Sequence, residues 1–387
     1  MSQPKRIDFL FFDAGGGHRS AAVALKTVTE ERYRGWEIRL LNLQEVLDTL
    51  DIFRKVTGIR LQDIYNLLLK HGWTLGAAHL LRMMHLVIRI YHRSQVKALV
   101  EVWRRRRPEL VVSLIPNFNR PIFESLHQAL PGTELVTVLT DLADYPPHFW
   151  IEKQPQYFVC GTDRAVQQAA AMGHPLNRIY RVSGMILRPG FYETREINRA
   201  EQRGKLGLAD GLPTGLVLFG GQGSDVMRDI AERLGNSALD LQLIVICGHN
   251  AKLKARLEQL QTRNRIHVEG FTERIPELMQ LADFFIGKPG PGSISEAIHM
   301  GLPAIVEKNA WTLPQERYNA EWLKEQGLGL VLKDFRQVEA AVGELLRGGK
   351  LQEMRRRATQ LSNQAVFEIA GILGEIGSKV ESLEQRQ

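Results

Sequence analysis

Twelve short apolar or β-branched runs, separated for the most part by helix-length stretches, constrain this chain more than any other feature. In the first half they fall at 7–12, 37–41, 110–114, 134–140, 156–160 and 179–183. In the second half they fall at 215–219, 241–247, 265–269, 283–286, 303–306 and 328–332. Amphipathic stretches such as 225–235, 251–262 and 315–326 lie between them. A strand–helix alternation of this kind builds open parallel sheets with helices on both faces. The 387 residues exceed one ordinary core and fit two domains of ~150–200 residues. The rhythm breaks at Leu187-Arg188-Pro189-Gly190-Phe191, a Pro/Gly interruption near the midpoint. The expectation is an α/β protein of two doubly wound domains, 1–187 and 188–350, facing across a cleft. Residues 351–387 form a C-terminal helix with no strand after it, one that can return to brace the first domain. Sheets of this type bind ligands beyond the carboxyl ends of their strands.

The composition is that of an ordinary soluble chain, 44% hydrophobic and 24% charged. Cys160 and Cys247 each end an apolar run without metal-ligand spacing and read as buried reduced thiols, which fits a cytoplasmic setting. Lys5 and Arg6 lead straight into a β-type run, so no secretory signal is expected. No stretch of 18 apolar residues occurs, and no spanning helix is expected.

The net charge of +7 is unevenly placed. Between Ile52 and Arg107 twelve Lys/Arg stand against two acids, Asp63 and Glu101, so the rest of the chain is slightly acidic. The same segment carries Phe53, Tyr65, Trp73, Tyr91 and Trp103 and the apolar stretch from Leu80 to Ile90. Basic residues mixed with Trp, Tyr and Leu suit an interfacial helix on anionic lipid, and Trp73, Arg82, Arg89 and Arg93 are the membrane- or acceptor-side candidates. A solvated face on a helical insertion is the plainer alternative. No helix-turn-helix, zinc-finger or RNA-binding signature accompanies the charge, so nucleic acid is not an expected partner.

Three glycine-rich loops follow strand-like runs. The first, Asp13-Ala14-Gly15-Gly16-Gly17-His18-Arg19-Ser20, lets backbone approach a ligand at a helix start. It matches neither a dinucleotide fingerprint nor a Walker loop. Its histidine, with an ordinary pKa of ~6.5, suits a general base, although a helix-capping or solvent-exposed His18 remains open. The second is Phe219-Gly220-Gly221-Gln222-Gly223-Ser224, a phosphate-sized cradle. The third, Gly287-Lys288-Pro289-Gly290-Pro291-Gly292-Ser293-Ile294-Ser295-Glu296-Ala297, is the most specific. Amides of Gly292, Ser293 and Ile294 at the helix start suit a diphosphate, and Glu296 one turn in suits ribose hydroxyls. Ser293 and Glu296 also fit a capping box with no ligand. Downstream, Gln315 and Glu316 open another helix with groups that suit sugar hydroxyls, and Phe271 suits a nucleobase face. Solvated first-turn polars and a core Phe are the plainer readings of those three.

Together these segments resemble the GT-B glycosyltransferases of family 28, most closely the monogalactosyl- and glucosyl-diacylglycerol synthases. The strongest pieces are Gly15 to Ala21 and Lys288 to Ala297 with Gly301-Leu302-Pro303. Thr140-Asp141-Leu142, Gly220 to Gly223, Ile246-Cys247-Gly248-His249-Asn250 and Pro314-Gln315-Glu316 support them. Departures are Ile115-Pro116 for a usual His-Pro, Met185-Ile186 in the interdomain stretch, and Lys288-Pro289 for Lys-Ala.

The resemblance implies two Rossmann-like domains, a UDP-sugar donor in the second domain and a lipid acceptor at the first. It implies inverting transfer of a hexose, galactose or glucose, to a diacylglycerol-type lipid. By it Glu296 is the ribose ligand, and Gly290, Gly292, Ser293 and Ile294 contact the diphosphate; Lys288 and the turn at Gly220, Gly221 and Gly223 are further donor-binding candidates. Gln315 and Glu316 lie near the donor sugar, and His18 is the candidate base. Asp13 and Asp141 are alternative bases or orienting partners. No Asp-x-Asp occurs, so an obligatory metal is not expected and the UDP-sugar is substrate rather than cofactor. The place implied is peripheral, at the cytoplasmic face of the plasma membrane. Other readings are another lipid acceptor, a UDP-sugar 2-epimerase, and a non-catalytic nucleotide-sugar-binding protein.

Overall fold

The structure is a computed structural model and describes residues 4–13, 17–48, 88–193 and 196–384. Among these, the chain divides into two units. One holds the chain up to Pro189 and resumes at Asn363, and the other runs from Gly190 to Ser362.

Each unit is built on a six-stranded sheet whose pairs are all parallel. In the first unit the strands are β1 (Lys5–Phe11), β2 (Trp36–Asn42), β3 (Leu110–Ser113), β4 (Glu134–Val138), β5 (Tyr157–Cys160) and β6 (Ile179–Arg181). Their spatial order is β2-β1-β3-β4-β5-β6. In the second they are β7 (Thr214–Leu218), β8 (Gln242–Ile246), β9 (Ile266–Glu269), β10 (Phe284–Gly287), β11 (Ala304–Glu307) and β12 (Gly329–Leu332). Their order is β12-β11-β10-β7-β8-β9. All twelve apolar runs of the sequence are strands, and the expected pair of Rossmann-like, doubly wound domains is what the chain forms.

Strand order places the functional edge. The first sheet reverses direction between β1 and β3, the second between β7 and β10. At such a reversal the connections leave to opposite faces and open a crevice at the carboxyl ends. Central strands are buried along their whole length, including Leu110–Ser113, Thr214–Leu218 and Gln242–Ile246. That is why they read as continuous apolar runs rather than alternating ones.

Helix α1 (Gly17–Arg32) follows β1, and α2 (Leu43–Asp48) follows β2. Helices α3 (His92–Arg106) and α4 (Asn119–Ala129) pack together, with the Trp103 indole N–H donating to Ser125 Oγ at 2.8 Å. Part of the basic charge of this region is structural. The guanidinium groups of Arg39 and Arg106 hold the fully buried Asp8 carboxylate at 2.8 and 2.7 Å. Burying that carboxylate unpaired would cost several kcal/mol.

The C-terminal segment departs from expectation: 351–387 is not one helix. Lys350–Gln360 ends within the second unit, and a separate helix, Ala365–Glu384, belongs to the first. Asn363 makes the break. Its buried side chain donates to the Met185 carbonyl at 2.9 Å and accepts from the Ala365 amide at 3.0 Å, trading helix continuation for a cap. The last helix lies so close to α1 and β2 that a Cβ at Gly374 would overlap the Tyr33 ring, itself stacked on Trp36 at 4.4 Å. The Lys5 ammonium donates to the Gly377 carbonyl at 2.8 Å. No described helix is long and apolar enough to cross a membrane.

Candidate functional site

In the first unit, three strand ends converge on His18, the second residue of α1. Its Nδ1 lies 2.9 Å from the carbonyl oxygen of Leu114, one residue past β3, and 3.1 Å from Thr140 Oγ1, two residues past β4. The carbonyl only accepts, so Nδ1 carries the hydrogen and donates to it. This assigns the tautomer from the hydrogen-bond network and leaves the lone pair on Nε2. His18 keeps partial solvent exposure, and burial of its imidazole pushes the pKa down from 6.5 to about 4, with the Leu114 bond pulling weakly the other way. The ring is therefore neutral at pH 7, the state a proton acceptor needs.

The two carboxylates named with His18 have partners of their own. Asp13 is exposed and pairs with Arg19 at 3.2 Å. Asp141 is buried, and its Oδ2 accepts the Trp150 indole N–H at 2.8 Å. The Trp150 ring lies 6.1 Å from the His18 ring, centroid to centroid. Residues 14–16, including Gly15 and Gly16, lie outside the described residues.

In the second unit, the loops after β7, β8, β9, β10 and β11 share the carboxyl edge, because the strands are parallel. The β7 and β10 loops flank the reversal of strand order. Gly220 and Gly223 both take left-handed backbone, at φ +74° and +61°. The β7 and β8 turns interlock. A Cβ at Gly248, which has φ +58°, would overlap the Gly221 carbonyl, and the His249 amide donates to that same oxygen at 2.8 Å. Only glycine admits both that backbone and that approach. Beyond them, Phe271 is 59% exposed and stacks on the His249 ring at 4.0 Å.

Helix α5, after β10, spans Pro291–His299 with Gly290 as its N-cap and no side-chain cap bond. Ser293 is therefore the third helical residue, and the capping-box alternative for Ser293 and Glu296 does not form. The Ile294 amide donates to the Gly290 carbonyl at 3.1 Å and its side chain is buried, so Ile294 anchors the helix instead of offering an amide. Gly292, exposed, and Ser293, half-buried, hold the first-turn amides that lack an intrahelical acceptor. Glu296 is half-buried one turn further on.

Lys288 and Glu316 meet at 3.3 Å, Glu316 being largely buried in the turn Pro314–Glu316 that precedes the helix Arg317–Glu325, and Gln315 is half-buried beside it. Fully buried Asn319 of that helix donates to the Pro289 carbonyl at 2.8 Å, which fastens the Pro/Gly turn. Of the membrane-side candidates, Arg93 is exposed in the first turn of α3, and Arg89 is exposed just ahead of it beside Ile90, which is 66% exposed. Trp73 and Arg82 lie outside the described residues.

Comparison with known proteins agrees with this layout. Residues 215–369 match the glycosyltransferase family 28 C-terminal domain. The chain is 31% identical to the chloroplastic monogalactosyldiacylglycerol synthase of Spinacia oleracea, over 96% of its own length and 73% of that protein's. The chain belongs to glycosyltransferase family 28. Crystal structures share the fold at low identity. One is MurG of Acinetobacter baumannii, with 14% identity, a TM-score of 0.59, and coverage of 96% of this chain and 100% of that one. Another is Anabaena Alr3699/HepE in complex with UDP, with 14% identity, a TM-score of 0.56, and coverage of 97% and 100%. The fold is thus the two-domain GT-B type, and the protein is a glycosyltransferase.

Several contributors were not visible as site residues in the sequence. The Leu114 carbonyl has no side-chain signature at all. Thr140 and His249 lie inside quoted motifs, Asn319 just past one and Trp150 in none, but their partners lie 9 to 122 residues away or are known only by strand order.

Proposed function

We propose that this glycosyltransferase moves a hexose, galactose or glucose, from a UDP-sugar to a diacylglycerol-type lipid with inversion, working peripherally at the cytoplasmic face of a membrane. The observation that carries the chemistry is His18, a neutral imidazole whose Nδ1–H is fixed by Leu114 and whose Nε2 lone pair is the proton acceptor. The identity to a named diacylglycerol galactosyltransferase across nearly the whole chain supports the acceptor class.

In this reading His18 Nε2 takes the proton of the acceptor hydroxyl as that oxygen attacks the anomeric carbon of the donor. The bond from that carbon to the diphosphate oxygen breaks, and UDP leaves with the electron pair. The amides of Gly292 and Ser293, at the positive end of α5, stabilise the charge that develops on the diphosphate, as fixed donors do without reorganising. The glycine turn at Gly220, Gly221 and Gly223 lets backbone approach the same group. Lys288 supplies a cation beside it. Glu296 accepts from ribose hydroxyls, Phe271 stacks on the base, and Gln315 and Glu316 bond the hexose. Direct displacement needs one base and no covalent intermediate, and the donor set asks for no obligatory metal. Arg82, Arg89 and Arg93 attract anionic lipid, and Trp73 seats in the interface.

The test is a panel of UDP-sugars offered with anionic vesicles containing diacylglycerol, with lipid products read by mass. Gain of one hexose by diacylglycerol is expected with one donor. No hexosylated lipid with any donor defeats the proposal.

A further inference from the structure

Between β4 and β5 the chain makes an excursion over Asp141–Ile151, and a buried carboxylate with no part in the proposed reaction sits at its root. Asp144 is 4% exposed. Its Oδ2 accepts the His148 amide at 2.9 Å and its Oδ1 accepts the Trp150 amide at 2.6 Å. Its own backbone is tied to the helix Asp163–Ala171. The Asp144 amide donates to Gln168 Oε1 at 2.9 Å, and the Asp144 carbonyl accepts from Gln168 Nε2 at 2.9 Å. Burial pushes this carboxyl above its usual range, while the amides of Trp150, His148 and Ile151 pull it down. A carboxylate this enclosed is retained only where fixed donors satisfy it.

The clamped turn is an unusual one. His148 holds left-handed backbone at φ +67°, a conformation that a non-glycine residue keeps only when its surroundings over-determine it. Asp144 supplies one of the bonds that do so, beside the Phe149 amide on the Pro146 carbonyl at 3.1 Å. The other clamped residue, Trp150, is fully buried. It is fixed at three further points: its indole N–H on Asp141 at 2.8 Å, its carbonyl on Asn119 Nδ2 at 3.2 Å, and its ring 6.1 Å from His18. One residue therefore links a helix through its backbone, and the turn and the wall of the His18 site through its carboxylate.

We propose that Asp144 is a positioning residue for transfer: its carboxylate holds the Asp141–Ile151 turn so that Trp150 and Asp141 stay in place beside His18. This rests on the reading of His18 as the base. Asn at this position has one accepting oxygen where Asp has two, and its NH2 would face a backbone N–H, so one of the two clamping bonds is lost. A displacement of about 1 Å at a catalytic group is enough to cost on the order of a hundredfold in rate.

The test uses the full chain with Asp144→Asn, Trp150→Phe and the double variant, measuring kcat and KM for the UDP-sugar and UDP affinity by calorimetry. The expected result for Asp144→Asn is a kcat lowered about ten- to a hundredfold, with UDP affinity and donor KM unchanged, since the donor contacts lie in the other unit. Trp150→Phe, which keeps a ring but removes the indole donor, lowers kcat in the same way. The double variant loses no more than the worse single one, because both act through one contact chain. Wild-type kcat in Asp144→Asn overturns the proposal, as do losses that multiply in the double variant. Should Asp144→Asn fail to fold, Trp150→Phe alone still decides whether the clamped turn acts on kcat. His18→Ala separates the two readings. Full turnover in that variant defeats the base assignment, whereas an inactive His18→Ala beside a fully active Asp144→Asn defeats only the clamp.

Discussion

Replacing His18 with Gln tests the burial of the imidazole without any substrate. In the folded protein its pKa is about 4, against 6.5 for the free side chain. At pH 7 the folded ring is neutral and the unfolded one mostly so, and the group contributes little to pH dependence. Below 6.5 the unfolded chain binds a proton that the folded chain refuses, so stability falls with pH until the folded ring itself protonates near 4. At about pH 4.5 the linkage relation gives a ceiling of about 2.5 kcal/mol of lost stability from this one group. The residue keeps partial exposure, and water on the imidazolium reduces that to a working figure of about 2 kcal/mol. Gln is close in size, and its amide N–H donates to the Leu114 carbonyl as Nδ1 does, yet it does not titrate. Urea unfolding, followed by tryptophan fluorescence at about pH 7 and about pH 4.5, measures the loss on acidification for wild type and variant. His174 and His299, whose pKa values burial also lowers, cancel in the comparison. Wild type should lose about 2 kcal/mol more than His18→Gln. Equal losses would refute the claim that His18 is held neutral by its surroundings.

Other expectations follow from the same geometry. Phe271→Ala removes an exposed ring placed to stack on a base, worth about 1–3 kcal/mol in alanine substitutions, so calorimetric UDP affinity should fall about tenfold with the unfolding midpoint unchanged. Gly374→Ala gains about 1 kcal/mol of helix propensity but overpacks the Tyr33 ring by about 1–3 kcal/mol, and urea unfolding should show net destabilisation. Charge reversal at both Arg89 and Arg93 should weaken binding to anionic vesicles in co-sedimentation by about tenfold or more. Each basic residue near such a surface contributes about 1 kcal/mol, and added salt should narrow the difference.

The site was legible in the sequence where local chemistry is distinctive. Phe284 through Glu296 is a strand, a Pro/Gly turn and a helix start on any reading, and the helix begins where those residues place it. What that segment does not reveal is which first-turn groups are already spent. Ile294 was as good an amide candidate as Ser293 until its bond to Gly290 appeared. The capping box failed for a related reason: the helix starts two residues ahead of Ser293, at Pro291, which moves the cap to Gly290.

By itself the sequence determined the twelve strands, the helices between them and the glycine turns, because each is written in periodicity and backbone preference over a few neighbouring residues. Only the tertiary structure decided the strand order, and with it the crevice at which His18 sits. It alone decided that His18 leans on a carbonyl 96 residues away and a hydroxyl 122 residues away. It also decided that the C-terminal segment breaks at Asn363 to cap one helix while holding Met185. Those outcomes turn on which buried donor meets which acceptor across the sheet. No local pattern encodes such a pairing, since a carbonyl looks the same at every position until folding places something against it.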